Sequence, residues 1–270
     1  MFLGLKQDFA VNHATPIAHM GRLWCVANNN SQYYLVSNVC PHQHSKILFA
    51  GSTDLICPYH GFEFDLAGRG INNHCKLERK SCYVVGNFIF DRPVPYVFPI
   101  DTEPFRLVEY RRDQVNAPVP VIMDVFVDIQ HIPVAHAGVY DKVGITDIDA
   151  LQYKTFEGGS IQFVPCKTTH HMIKADQQWQ LGACWMAIYP DTMIEWQPGA
   201  LFVTVATDAG VHIYKYRDTR YSSDNWTLNN AVWETAWMQD RQLSENIVDL
   251  SSNNLDTLKS HHRDYHAVHR

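Results

Sequence analysis

Two short clusters carry the densest chemistry in this chain, Cys40-Pro41-His42 and Cys57-Pro58-Tyr59-His60. Each offers one thiolate and one imidazole. A Cys-x-His followed by a Cys-x-x-His suits a two-iron cluster in which cysteine holds one iron and histidine the other. Zinc is the rival occupant, although zinc knuckles usually run Cys-x-x-Cys and His-x(3–5)-His, an order that the mixed loops do not follow.

A second group lies within residues 122–138, where Asp128, His131 and His136 fall close together. On a helix Asp128 and His131 share a face. A regular helix would rotate His136 away from His131, so Pro133 between them is expected to break or kink it and let both imidazoles turn to one ion. Two histidines and one carboxylate, with open positions left over, are the ligand set of mononuclear non-haem Fe(II) sites that activate oxygen. Asp128 is one candidate carboxylate. Asp240 is the better one, because Val232, Ala236, Asp240, Leu243 and Ile247 follow each other at helical steps and the stripe is otherwise apolar. A carboxylate on a core-facing stripe is costly unless it is paired or binds a metal, which sets Asp240 apart from Glu245, Asp249 and Asp256.

The elements that must position these groups fall into two halves. With 270 residues, 46% of them hydrophobic, the chain can bury substantial cores in one or two domains, and two are expected. Residues 23–27, 32–39, 55–58, 62–66 and 82–90 read as strands, with hairpin turns at Asn28-Asn29-Asn30 and Ala67-Gly68. Five prolines between Pro93 and Pro118 mark the change of organisation, and the boundary is placed near residue 100, giving domains 1–100 and 101–270. Beyond it come a helix around 122–130, strands over 160–165, 167–175, 180–190, 193–198, 200–208 and 210–219, and a long helix over 228–250.

Composition narrows the partners. A net charge of −6 gives no basic footprint, so neither nucleic acid nor an anionic membrane surface is expected. Lys6 and Asp8 interrupt any signal-peptide core, no run reaches a membrane span, and the chain reads as soluble and cytoplasmic. Beyond Cys40 and Cys57, five of the seven cysteines are scattered and read as reduced thiols.

Residues 38–70, with CPHQH and then CPYHGFEFDLAGRG, resemble the cluster-binding loops of the Rieske family. The resemblance implies one [2Fe-2S] cluster with Cys40 and Cys57 on the inner iron, His42 and His60 on the outer one, loops stiffened by Pro41 and Pro58, and Gly61 allowing close approach to a cluster sulfur. High-potential members carry a further disulfide at positions that are Ser45 and Tyr59 here, so the chain resembles the lower-potential branch. With the second group included, the chain is similar to the Rieske non-haem iron oxygenases, specifically the alpha subunit of the aromatic-ring-hydroxylating type. That implies an α+β chain: an N-terminal all-β Rieske domain, then a helix-grip-like catalytic domain of antiparallel sheet and long C-terminal helix. It also implies His131, His136 and Asp240 as Fe(II) ligands, and Asp128 as a bridging carboxylate to a cluster histidine of the neighbouring subunit. Two departures stand out: Asp124 occupies a position that is Asn in many members, and the catalytic half is short.

The function implied is a mono- or dioxygenase of the EC 1.14 type that hydroxylates or oxidatively dealkylates a small organic substrate. Electrons from NAD(P)H would arrive through a reductase, directly or by way of a ferredoxin, in a head-to-tail homotrimer. The alternative is a Rieske electron-transfer or ligand-binding protein without the mononuclear iron. Among other residues, His44 reads as a solvated loop residue, one of His170-His171 points inward from a strand, and His261, His262, His266 and His269 belong to a polar tail. Trp226, Trp233 and Trp237 read as helix packing, whereas Trp185 and Tyr189 could wall a pocket.

Overall fold

The computed structural model describes residues 1–19, 21–50, 54–94, 100–128, 131–143, 152–164 and 183–247. In chain order the first ten strands are β1 (Phe2–Leu5), β2 (His13–His19), β3 (Arg22–Asn29), β4 (Gln32–Ser37), β5 (Leu48–Ala50), β6 (Asp54–Ile56), β7 (Glu63–Phe64), β8 (Arg79–Ser81), β9 (Tyr83–Val85) and β10 (Phe88–Phe90). They form three small antiparallel sheets, ordered β2-β3-β4-β8, β5-β6-β7 and β1-β10-β9. The β3–β4 hairpin closes on Asn30 and Ser31, at φ 50° and 68°, so the turn falls at the end of the expected asparagine run and Asn28 and Asn29 stay in the strand. From Trp24 to Asn28 strand β3 is buried on both faces. Two cores share it: Trp24 and Val26 pack with Leu3, Phe9 and Ile89, while Ala27 packs with Cys40, Cys57 and Phe64.

The second half is a seven-stranded antiparallel sheet of β11 (Phe105–Asp113), β12 (Gln152–Phe156), β13 (Gly159–Val164), β14 (Ala183–Ile188), β15 (Thr192–Gln197), β16 (Ala200–Thr207) and β17 (Gly210–Asp218), in the order β11-β17-β16-β15-β14-β13-β12. Antiparallel sheets commonly leave one face wet, but here both are covered. Alternate residues explain how: Cys184, Met186 and Ile188 face a core that includes Phe2, Phe88 and Phe90 of the N-terminal strands. Trp185 and Ala187 face α1 (Val119–Val127) and α3 (Ser223–Asn246), between which lies the single turn α2 (Ile132–Ala135). The architecture is therefore a β-rich N-terminal unit followed by an antiparallel sheet carrying a long C-terminal helix, as expected.

Helix α3 starts where the Ser222 hydroxyl accepts from the Asn225 N–H at 3.2 Å, six residues before the expected start at Leu228. Its docking rests on charge. Lys215, fully buried on β17, donates to Glu109 and Asn230 at 3.0 Å each and also to Glu234. Arg111 grips Glu234 through two bonds of 2.5 and 2.8 Å, and the Trp237 indole donates to Asp113 at 2.7 Å. No described helix is long and apolar enough to cross a membrane.

Three local expectations change. Helix α1 ends at Asp128, before Pro133, and Pro133 lies in the first turn of α2, where proline's missing N–H costs nothing. Asp128 and His131 therefore do not share one helix. On α3 only Val232 and Ala236 of the apolar stripe are buried; Leu243 and Ile247 are exposed, and Ile247 already caps the helix. The expected strand 167–175, with His170 and His171, and the C-terminal histidines lie outside the described residues.

Candidate metal centres

The two cysteine–histidine loops share one backbone pattern. The Cys40 N–H donates to Ser45 and its carbonyl accepts from His44; the Cys57 N–H donates to Phe62 and its carbonyl accepts from Gly61, all at 2.8–3.0 Å. In each loop the residue four beyond the cysteine adopts a left-handed φ, 56° at His44 and 66° at Gly61. No protein atom lies within 4 Å of a Cβ built on Gly61, so its backbone conformation, not crowding by the chain, is what favours glycine there.

These twin turns present their ligands in a fixed arrangement. Cys40 and Cys57 are buried, His42 and His60 are exposed, and the two imidazole Nδ1 atoms converge to 3.2 Å. Burial opposes either thiolate. At Cys57 the backbone N–H groups of Tyr59 and His60, with help from Ser45, outweigh it and hold the thiol below its usual range. Cys40 is pushed up by burial and by its neighbour Cys57. Buried sulfur beneath exposed nitrogen fits a two-iron cluster whose histidine-bound iron faces outward.

The second group is assembled across the fold. His131 precedes α2, His136 closes it, and Asp240 reaches them from α3. His131 Nε2 and His136 Nε2 are 3.0 Å apart, and Asp240 Oδ1 lies 3.2 and 2.9 Å from them. Despite that proximity, Asp240 Oδ1 is buried without an aligned hydrogen-bond donor among the described residues. An ion about 2.1 Å from each atom would see them at angles of about 90°, one face of an octahedron. His136 Nδ1 sits 2.8 Å from Gln239 Oε1, which keeps the proton on Nδ1 and turns the Nε2 lone pair inward. Burial lowers the affinity of His136 for a proton, but Asp240 more than offsets it and the imidazole titrates above its ordinary value. Among the described residues this is the group placed to hold a single ion. Asp128 is outside it; it caps α1, its N–H bonded to Asp124 and its carbonyl facing the His131 N–H.

A cavity opens beside this group, walled by Tyr140, Trp185, Phe202, Trp233 and Glu195 among others. Trp233 and Trp237 thus serve the cavity as well as helix packing, whereas Tyr189 is exposed. Burial pushes the Glu195 carboxyl up to about 7, with Asp240 adding to the rise, against the Gln197 amide and His136, which lower it. Glu195 carries no signal in the sequence: Met193 and Gln197, two residues to either side, do not make an apolar face, so the argument applied to Asp240 does not reach it, and Gln239 stands there only as the neighbour of Asp240.

A β unit with two cysteine–histidine loops, joined to a helix-covered sheet with a two-histidine, one-carboxylate group, is an architecture with two candidate metal centres, and known proteins share its fold. Residues 1–83 match the family model of the Rieske [2Fe-2S] domain. The quaternary ammonium Rieske monooxygenase CntA, in complex with its substrate L-carnitine, superposes with TM-score 0.69 at 15% identity, over 92% of this chain and 77% of that one. NdmA of Pseudomonas putida CBB5, with caffeine, gives TM-score 0.56 at 17% identity, over 93% and 83%. No curated protein sequence matches. At these identities the likeness establishes the fold: the chain carries a Rieske domain and is built like the Rieske non-haem iron oxygenases.

Proposed function

We propose that the chain is the oxygenase component of a Rieske non-haem iron system, with residues 1–100 as cluster domain and 101–270 as catalytic domain. Cys40, His42, Cys57 and His60 hold the [2Fe-2S] cluster, and His131, His136 and Asp240 hold one Fe(II). Iron bound there supplies oxygen activation. The observation that carries this reading is the triangle of His131 Nε2, His136 Nε2 and Asp240 Oδ1, whose buried oxygen has no aligned donor among the described residues.

Each residue then has a task. Gln239 fixes the His136 ring, α2 presents both imidazoles from one turn, and the aromatic wall keeps water from the reacting carbon. The exposed His42 and His60 would place the cluster near the surface, where electrons that begin on NAD(P)H and pass through a reductase or ferredoxin could reach it. Asp128 links a cluster histidine of one subunit to the iron site of the next, in a homotrimer of the cytoplasm. A solved quaternary ammonium Rieske monooxygenase has been described with inter-subunit electron transfer, which supports that arrangement here. The product is a hydroxylated or oxidatively dealkylated small molecule.

NADH-dependent O2 uptake with a surrogate reductase, measured over a panel of small organic compounds, tests this. Uptake should be substrate-dependent and vanish in Asp240→Ala while the visible spectrum of the cluster remains. Full uptake in Asp240→Ala would refute it.

A further inference from the structure

The two cysteine–histidine turns differ at their left-handed residue, which is His44 in the first and Gly61, directly after His60, in the second. A side chain limits the backbone at His44, whereas glycine loses more conformational freedom on being fixed than any other residue. From inside the turn the two are tied alike: the His44 N–H donates to the Cys40 carbonyl at 2.9 Å and the Gly61 N–H to the Cys57 carbonyl at 3.0 Å. The second turn adds a tie from outside.

Asn72 supplies it. Its Nδ2 donates to the Gly61 carbonyl at 2.9 Å, and its Oδ1 accepts from the Glu63 N–H at 2.9 Å. One side-chain amide thus bridges the two peptide groups that flank Phe62, as the backbone of a neighbouring strand would. The peptide between Phe62 and Glu63 is held from both sides, because the Phe62 carbonyl accepts from the Cys57 N–H at 2.9 Å. The Phe62 ring lies 5.2 Å from that of His42 and 6.2 Å from that of His60.

The clip is itself braced. The Ile71 N–H and Asn73 Nδ2 donate to the Glu63 carbonyl at 2.8 and 3.0 Å, Asn73 Nδ2 also lies 3.1 Å from Asn72 Oδ1, and Asn73 Oδ1 accepts from the Cys75 N–H at 2.8 Å. A Cβ on Gly70 would stand 2.5 Å from Asn73 Oδ1 and 2.8 Å from the Cys75 carbonyl oxygen, so glycine is what lets this turn close. Among the described residues no side chain clips the first turn in this way.

We infer that Asn72 is a positioning residue for His60: by fixing the Gly61 carbonyl and the Glu63 N–H it sets where the second imidazole stands opposite His42. This rests on the reading of the two turns as a [2Fe-2S] site, in which that imidazole is a ligand of the outer iron.

Pulsed EPR of the reduced, cluster-loaded protein tests this through the coupling of the imidazole nitrogens to the cluster, and bleaching in excess chelator reports how firmly the cluster is held. Asn72→Ala should change the nitrogen couplings and bleach roughly threefold faster or more, the equivalent of about one net hydrogen bond. Asn72→Asp keeps the acceptor for the Glu63 N–H but loses the donor to Gly61, and should fall between. It is also the second test should Asn72→Ala take up no cluster. Faster bleaching with unchanged couplings would reduce Asn72 to a structural brace and overturn the inference, as would wild-type couplings and rates in both variants. A wild-type protein that takes up no cluster would refute the cluster reading and this one with it, whereas a cluster indifferent to Asn72 would refute this one alone.

Discussion

The two cysteine–histidine loops and the histidine–aspartate group solve the same problem, holding metal-ligating side chains in register, by opposite means. The loops are local. Cys40 and Cys57 each organise their own turn through the same two backbone hydrogen bonds, so each histidine is fixed within three residues of its own cysteine. Asp240 meets His131 and His136 only because α3 is docked on the sheet through Lys215, Glu234, Arg111 and Trp237. The first site should survive damage to the second half, whereas the second should fail whenever α3 shifts. Exposure differs in the same sense: His42 and His60 face outward, while His136 is buried beside a cavity.

The largest expected effect breaks that docking. Lys215→Ala leaves Glu109 and Glu234 without their buried partner and should cost about 3–5 kcal/mol in chemical denaturation. It should also release the mononuclear iron while the cluster spectrum persists; loss of both together would show that the two sites are not separately supported.

Next comes Glu195. Its carboxyl titrates near 4.5 when unfolded and about 7 in the folded chain, so the folded state binds more protons between those values. Protein stripped of mononuclear iron should therefore lose stability as pH rises through that window, by about 3 kcal/mol from Glu195, with His136 adding a loss in the same direction from its ordinary value of 6.5 upward. Melting curves of Glu195→Gln should lack the part of the slope between 4.5 and 6.5.

Gln239→Leu removes the acceptor that orients His136, and mononuclear iron should bind about 10–100-fold more weakly, read by chelator competition, with no change at the cluster. The smallest effect probes the likeness of the twin turns. Gly61→Ala should cost about 1 kcal/mol because its φ is left-handed, whereas His44→Gly at the equivalent position should be neutral or slightly stabilising.

The same contrast explains what could be read from the sequence. Cys40, His42, Cys57 and His60 were legible because spacing and site coincide in a local motif. Asp240 was legible as a carboxylate on an apolar stripe, although the stripe itself extends less far than expected, since Leu243 and Ile247 lie where α3 has left the core. Pro133 was misread because a proline that breaks a helix and one that begins the next leave the same mark in sequence. The partnership of Trp185, Glu195 and Phe202 depends on strand register, and with both faces of the sheet buried no alternation of apolar and polar residues revealed which side chains face the cavity.

The central claim, two separately built iron centres in one chain, is tested most directly by counting iron. The purified protein should contain about three irons per subunit, and Asp240→Ala about two, with the reduced-cluster EPR signal unchanged. About two irons in the wild type, or about three in Asp240→Ala, would contradict it.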